Sequence, residues 1–252
     1  IKSQTVISST AYPEFDDYVK ASVDALQPAL DAVGGIGNVR AMGIGAPNSN
    51  YYNGCIENAA NLVWPGIVPV AEKFQEALGI PCRVTNDANA AAMGEMTYGV
   101  ARGMKNFIMI TLGTGVGSGI VCDGKIVYGS DGFAGELGHV IVDRGESARA
   151  CGCGRKGCLE TYTSATGVAR TAREILQKNT ADSLLRELDP EKITSFDVFQ
   201  AAEKGDALAL EIFDFTGTVL GRACADFTAF NSPEAFVFFG GLTKAGDYLM
   251  QP

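Results

Sequence analysis

The sequence lacks the features of a membrane-spanning, exported or nucleic-acid-binding chain. No run of about 18 apolar residues occurs, so no segment is expected to cross a membrane. No basic, apolar, small-residue leader opens it, so no export signal is visible. It has no basic footprint: 20 Lys and Arg stand against 29 Asp and Glu, a net charge of −9, which speaks against a generic nucleic-acid surface. Acidity does not forbid an anionic nucleotide, because backbone amides can bind one locally. There is no repeat and no low-complexity tract. What remains is an ordinary globular composition, 46% hydrophobic and 19% charged over 252 residues, enough for two modest domains or one large one.

Histidine is nearly absent too. The single one, His139, lies in the stretch from Asp131 to Glu160, which also holds three of the seven cysteines. Eleven residues separate His139 from Cys151, one separates Cys151 from Cys153, and four separate Cys153 from Cys158. One imidazole and three thiolates are the donor set of a closed, tetrahedral structural zinc site. The intervening glycines let the chain turn tightly enough to aim three sulfurs at one point. The plainer alternative is disulfides beside an ordinary histidine. Cys151 and Cys153 are too close to bridge comfortably, and three cysteines leave one unpaired. Arg155 and Lys156 would help keep thiolates ionised, which suits a metal or a reactive thiol. A structural zinc can contribute ~10–16 kcal/mol to folding such a loop, against ~2–4 kcal/mol for a disulfide. Cys55, Cys82, Cys122 and Cys224 sit singly, mostly beside apolar residues, and read as buried thiols in a reducing, cytoplasmic compartment.

The pattern of elements is α/β. Residues 14–33 carry apolar side chains at helical spacing, with Pro28 a kink or break. A short strand over 40–46, an irregular polar stretch over 48–61, a helix over 68–78, a strand over 81–85 and a helix over 87–98 follow. Strand and helix in alternation imply crossover connections. A buried strand over 107–111 leads into the glycine-rich turn 112–119, then strands at 120–122 and 125–128 around a hairpin turn at Asp123-Gly124. Helices are expected near 164–178, 195–203 and 207–230, and a buried strand over 235–239 ends at Gly240-Gly241. The start, residues 1–7, reads as a strand already under way, and the stop at Pro252 follows what look like the first turns of a helix. A fragment is expected.

The turn Leu112-Gly113-Thr114-Gly115-Val116-Gly117-Ser118-Gly119 is neither a P-loop, since no Gly-Lys-Ser/Thr follows, nor a dinucleotide fingerprint, since a strand follows rather than a helix. It reads either as an anion nest of exposed backbone N–H groups, with Thr114 adding a hydroxyl, or as a plain glycine-rich hairpin. Gly240-Gly241 offers a second place where backbone could approach a flat ligand. Asp87 follows a strand and precedes a helix. It reads as a helix N-cap or as a general base at the ligand-binding end of an α/β sheet. Glu136 and Glu160 flank the metal-ligand stretch. If zinc fixes that loop it fixes both carboxylates, which then suit the gripping of sugar hydroxyls; otherwise they are solvated surface charges.

Together, Gly-Glu-Leu-Gly-His, Cys-Gly-Cys-Gly-x-x-Gly-Cys-x-Glu, LGTGVGSG and Thr-Asn-Asp-Ala-Asn-Ala-Ala-Ala resemble the ROK family of sugar kinases and repressors, over nearly the whole chain. Gly-Ile-Gly-Ala-Pro-Asn followed by Asn61-Leu62-Val63-Trp64 is most similar to its glucokinase branch. The resemblance implies the actin/hexokinase/Hsp70, ribonuclease H-type fold: two α/β domains closing over a cleft, with residues 1–105 the smaller and 106–252, carrying the zinc loop 139–158, the larger. It implies ATP-dependent phosphorylation of glucose at its 6-hydroxyl, with Mg²⁺ on the nucleotide, by a cytoplasmic enzyme that is a homodimer. Asp87 would be the general base. Asn86, Asp87, Glu136, His139 and Glu160 would bind sugar, and His139 would keep one ring nitrogen on zinc. Gly113, Thr114 and Gly115 would hold the terminal phosphates, and Gly240 and Gly241 would lie near the adenosine.

One departure stands out. The family's first phosphate loop, Asp-x-Gly-Gly-Thr, is missing, and so are helices that continue past residue 252. The full gene product is therefore expected to be the kinase, and these residues alone to be nearly inactive. An N-acetylhexosamine or other hexose kinase is the alternative. A sugar-responsive repressor would need a helix-turn-helix and basic face not seen here, and a zinc-stapled binding module would leave Asp87 and the phosphate turn without a role.

Overall fold

The computed structural model describes residues 3–59 and 61–252. It forms two compact units, one running to Met93 and completed by Tyr128–Ala134, the other made of Gly94–Val127 and Gly135–Pro252.

In the first unit, strand β1 (Met42–Gly45), the antiparallel strands β2 (Ser49–Asn50), β3 (Cys55–Glu57) and β4 (Ile67–Val68), and β5 (Cys82–Thr85) follow helix α1 (Phe15–Asp31), with α2 (Val70–Leu78) between β4 and β5. β1 and β5 pair in parallel, Ile44 opposite Val84 and Gly45 opposite Thr85. Apolar residues of α1 and α2 at helical spacing pack onto this pair, burying Val19, Phe74, Cys82 and Val84 together with Ile56 and Trp64. The Trp64 ring lies 4.7 Å from Tyr18 and 5.0 Å from Phe15, and its indole N–H donates to the Tyr12 carbonyl at 3.0 Å. The returning segment 128–134 is tied on by Asn50, whose amide donates to the Asp131 carbonyl at 2.9 Å. Tyr128 stacks on Tyr51 with ring centroids 4.2 Å apart. Helix α3 (Asp87–Tyr98) starts at the carboxyl end of β5 and runs on past Met93.

In the second unit, β6 (Phe107–Leu112), β7 (Val116–Cys122), β8 (Lys125–Ile126) and β9 (Ala235–Phe239) form one sheet in the order β8-β7-β6-β9. β6 is central, antiparallel to β7 and parallel to β9. That position explains its nearly unbroken burial: Phe107, Ile108, Met109, Ile110 and Leu112 are all at most 1% exposed. Helices α4 (Glu160–Thr163), α5 (Ala165–Lys178), α6 (Ser195–Glu203), α7 (Ala207–Asn231) and α8 (Asp247–Met250) complete the unit. α7 is long because its core residues, Leu208, Ile212, Phe213, Leu220 and Phe227, recur at helical spacing and because Asp206 caps it, accepting the Ala209 N–H at 3.0 Å.

Several expectations are corrected. Residues 48–61 are not irregular throughout: they contain β2 and β3, paired Ser49 to Ile56, while Ala60 lies outside the described residues. No strand forms over residues 3–7, and Ile1 and Lys2 lie outside the described residues. The second strand starts at Val116, not at 120, so the turn shrinks to Gly113–Gly115. The third strand stops at Ile126. Pro28 does not break α1. It sits in the last turn on an exposed face, where water can serve the carbonyl its missing N–H leaves open. All seven cysteines are free, but of the four isolated ones only Cys82 is fully buried. Among the described residues no helix is long and apolar enough to cross a membrane.

Candidate active site and metal centre

The second unit gathers most of the singled-out residues at the carboxyl end of β6. There the chain turns through Gly113, Thr114 and Gly115 into β7. Gly113 N–H closes the turn on Gly115 O at 3.0 Å. Val116 N–H donates to Glu160 Oε2 at 2.9 Å. The N–H groups of Thr114 and Gly115 donate to nothing among the described residues, so two amides at the tip are open to an anion. A Cβ at Gly115 would lie 3.2 Å from the Glu160 carboxyl carbon and closer still to Oε2, so a side chain there would push the Glu160 carboxylate aside. Gly240, with φ +112°, packs its backbone on that of Leu112, where a Cβ would come within 2.8 Å of the carbonyl carbon. The second glycine pair therefore lies beside the first turn.

The segment Glu136–His139 is fastened to β7. Ser118 Oγ donates to the Gly135 carbonyl and accepts the Leu137 N–H at 3.0 Å. Gly138 lies so close to the Val116 carbonyl that no Cβ fits. Glu136 is exposed, whereas His139 and Glu160 are half-buried.

His139, Cys151, Cys153 and Cys158 come together: one donor atom from each lies within 4.8 Å of all the others. Cys153 Sγ and Cys158 Sγ are 3.6 Å apart, and Cys151 Sγ is 3.7 Å from His139 Nδ1. A tetrahedron of ~2.3 Å metal–sulfur bonds has edges of ~3.8 Å, so these spacings fit a four-coordinate ion. The thiols are set apart electrostatically. Burial pushes Cys153 up, but hydrogen bonds from the Arg155 backbone and guanidinium outweigh it and leave its pKa at about 6. Burial, then its sulfur neighbours, pushes Cys158 up to about 12. Three thiolates this close repel one another unless a cation sits among them.

Arg149, only 4% exposed, braces this loop. Its guanidinium donates to Thr161 O at 2.7 Å, Thr171 Oγ1 at 2.9 Å and Glu174 Oε2 at 2.7 Å. It lies over the Tyr162 ring, 4.5 Å from the centroid, and Tyr162 donates to Asp143 at 2.7 Å. Neither Arg149 nor Thr166, whose hydroxyl donates to Thr114 O at 2.9 Å, stands in a motif that would single it out from the sequence. The only local signal was the Ser164-Ala165-Thr166 run at a helix start.

In the first unit, Asp87 opens α3 and is exposed, and Asn86 is half-buried. Both carboxamide and carboxylate face the helix start: Ala88 N–H reaches Asn86 Oδ1 at 2.9 Å and Asp87 Oδ1 at 2.8 Å. Asp87 Oδ2 has no such partner among the described residues.

The sequence profile of the ROK family matches residues 3–252. A glucokinase from Halalkalibacterium halodurans is 44% identical over 84% of this chain, and the chain spans 64% of that relative's length. A ROK family glucokinase from Streptomyces griseus, solved with glucose and AMPPNP, aligns at a TM-score of 0.77 with 32% identity, covering 96% of this chain and 77% of the other. A ROK family transcriptional regulator, a homologue of the E. coli MLC protein, aligns at 0.81 with 26% identity, covering 94% of this chain and 57% of the other.

Proposed function

The chain belongs to the ROK family, and from that premise we propose that the full-length protein is an ATP-dependent hexose kinase acting on glucose at its 6-hydroxyl. The observation that carries this reading is the joint use of Glu160, which backs the open amides of the Gly113–Gly115 turn through Val116 N–H while lying 3.9 Å from the metal-loop sulfur of Cys151. A carboxylate that could hold a sugar hydroxyl is thereby built into the turn that could hold phosphate.

In this reading Asp87 is the general base. It takes the proton of the 6-hydroxyl as that oxygen forms its bond to the γ-phosphorus and the bond to the β-phosphate oxygen breaks, giving ADP and the sugar phosphate. Asn86, Glu136, His139 and Glu160 bind the sugar. Thr114 and Gly115 offer their N–H groups to the terminal phosphates, Gly113 shapes the turn that holds them, and Gly240 and Gly241 take the adenosine side. Phosphoryl transfer needs positioning and charge neutralisation more than covalent help, and Mg²⁺ bound with ATP supplies neutralisation. His139, Cys151, Cys153 and Cys158 would hold one structural zinc, which would fix the loop. The protein works in the cytoplasm as a homodimer.

The test is a coupled assay on the full-length protein across glucose, mannose, fructose, N-acetylglucosamine and N-acetylmannosamine. The highest kcat/KM is expected for glucose. A preference for N-acetylmannosamine would move the protein to the alternative kinase. Sugar binding without phosphoryl transfer from ATP would favour a sugar sensor, the second reading that the likeness to a regulator supports.

A further inference from the structure

The Gly113–Gly115 turn has one bond of its own, Gly113 N–H to Gly115 O, and is otherwise held from outside. Three contacts from the corner between α4 and α5 hold it. Glu160 Oε2 accepts Val116 N–H at 2.9 Å. Ala165 N–H donates to Gly113 O at 2.8 Å. Thr166 Oγ1 donates to Thr114 O at 2.9 Å. A trans peptide points its C=O and N–H to opposite sides. Anchoring the carbonyls of Gly113 and Thr114 on the corner therefore aims the N–H groups of the same two peptides, those of Thr114 and Gly115, away from it. These are the two amides left open at the tip.

We propose that Thr166 is a positioning residue for nucleotide phosphate: its hydroxyl fixes the Thr114 carbonyl and so orients the Gly115 N–H. This rests on the kinase reading above. The proton order supports the role. Ser164, fully buried, accepts Gly167 N–H at 3.0 Å, which leaves its own proton for Thr166 Oγ1, 2.9 Å away. Thr166 is then free to donate onward to Thr114 O. Of the two carbonyl anchors it is the one made by a side chain, so it is the one a substitution can remove. Thr166 itself is exposed, and its loss leaves the core untouched.

The experiment compares Thr166→Val and Thr166→Ser with the wild type in the full-length protein, by steady-state kinetics, by calorimetry with the Mg²⁺ complex of ATP and with glucose, and by thermal melting. Thr166→Val is expected to raise both the KM and the Kd for the nucleotide about three- to tenfold, the size of one hydrogen bond. Glucose Kd and melting midpoint should stay as in the wild type, and Thr166→Ser should restore nucleotide binding. A nucleotide Kd within about twofold of wild type overturns the inference. So does a parallel loss of glucose binding, nucleotide binding and melting midpoint, which would mark a merely structural role. Wild-type protein that neither binds the nucleotide nor phosphorylates glucose sinks the kinase reading, and this inference with it. Wild-type protein that does both, matched by Thr166→Val, sinks this inference alone.

Discussion

Asp87 and Glu160 carry the same functional group in opposite settings. Asp87 is exposed and spends one oxygen on the Ala88 N–H, leaving the other for a proton. Glu160 is half-buried and gives one oxygen to Val116, so it is fixed rather than free. Asp87→Asn keeps the shape and removes the base proposed above. It is expected to lower kcat by ~10²–10⁴ while calorimetry finds glucose affinity nearly unchanged; an undiminished kcat would remove Asp87 from the chemistry. Gly115→Ala puts a methyl against the Glu160 carboxylate and breaks its bond to Val116. The glucose Kd is expected to rise tenfold or more, since a hydrogen bond to a charged group is worth about 1.5–3 kcal/mol; an unchanged Kd would separate Glu160 from the sugar. At this scale the sequence was legible where the signal was local. The four residues that come together as a candidate metal centre fall within twenty residues (139–158) and the glycines of the turn are consecutive alternates. Thr166 was not legible, because its role comes from where the α4–α5 corner meets a turn 52 residues away.

Two elements can be tested by what holds them. The loop of residues 139–158 has few core side chains of its own, with Ala148, Cys158 and the Arg149 brace among the buried ones, so the metal is expected to set its order. Elemental analysis of the full-length protein is expected to find about one zinc per chain. Its removal by a chelator should lower the melting midpoint and open residues 143–157 to protease; a chelator-treated protein as resistant as before would count against the centre. Helix α7 depends on Asp206, which accepts from Leu184 N–H at 2.6 Å, Ala209 N–H at 3.0 Å and Ser183 Oγ at 3.1 Å. Burial pushes its pKa up, but these donors outweigh it and hold the carboxyl below its usual value. A depressed folded-state pKa means that the stabilisation is present above the usual carboxylate range and fades as pH falls through the folded value. Asp206→Ala is therefore expected to cost about 0.5–2 kcal/mol in urea unfolding at neutral pH, and the gap to wild type should close in acid. A gap that persists unchanged there would mean that the side chain acts by packing alone. Most helices were legible because their burial follows a period, and the central strand β6 because its apolar run is almost unbroken. The β2–β3–β4 sheet was not, because strands of two or three residues carry no period to read.

The whole molecule is organised by a chain that returns. Tyr128–Ala134 leaves the second unit's sequence to complete the first, and nothing in its composition announces this, since the partners are Asn50, Tyr51 and Tyr52. A double-mutant cycle between Tyr51 and Tyr128 is expected to give about 0.5–1.5 kcal/mol of coupling; additive effects would show that the stacking contributes nothing beyond burial. The same return has a consequence for biosynthesis. Tyr52 waits for Gly129, 77 residues behind it, which at ribosomal speeds is roughly 4–15 s. For that interval the nascent first unit lacks the segment that completes it, and a pause in translation before residue 134 would lengthen that time.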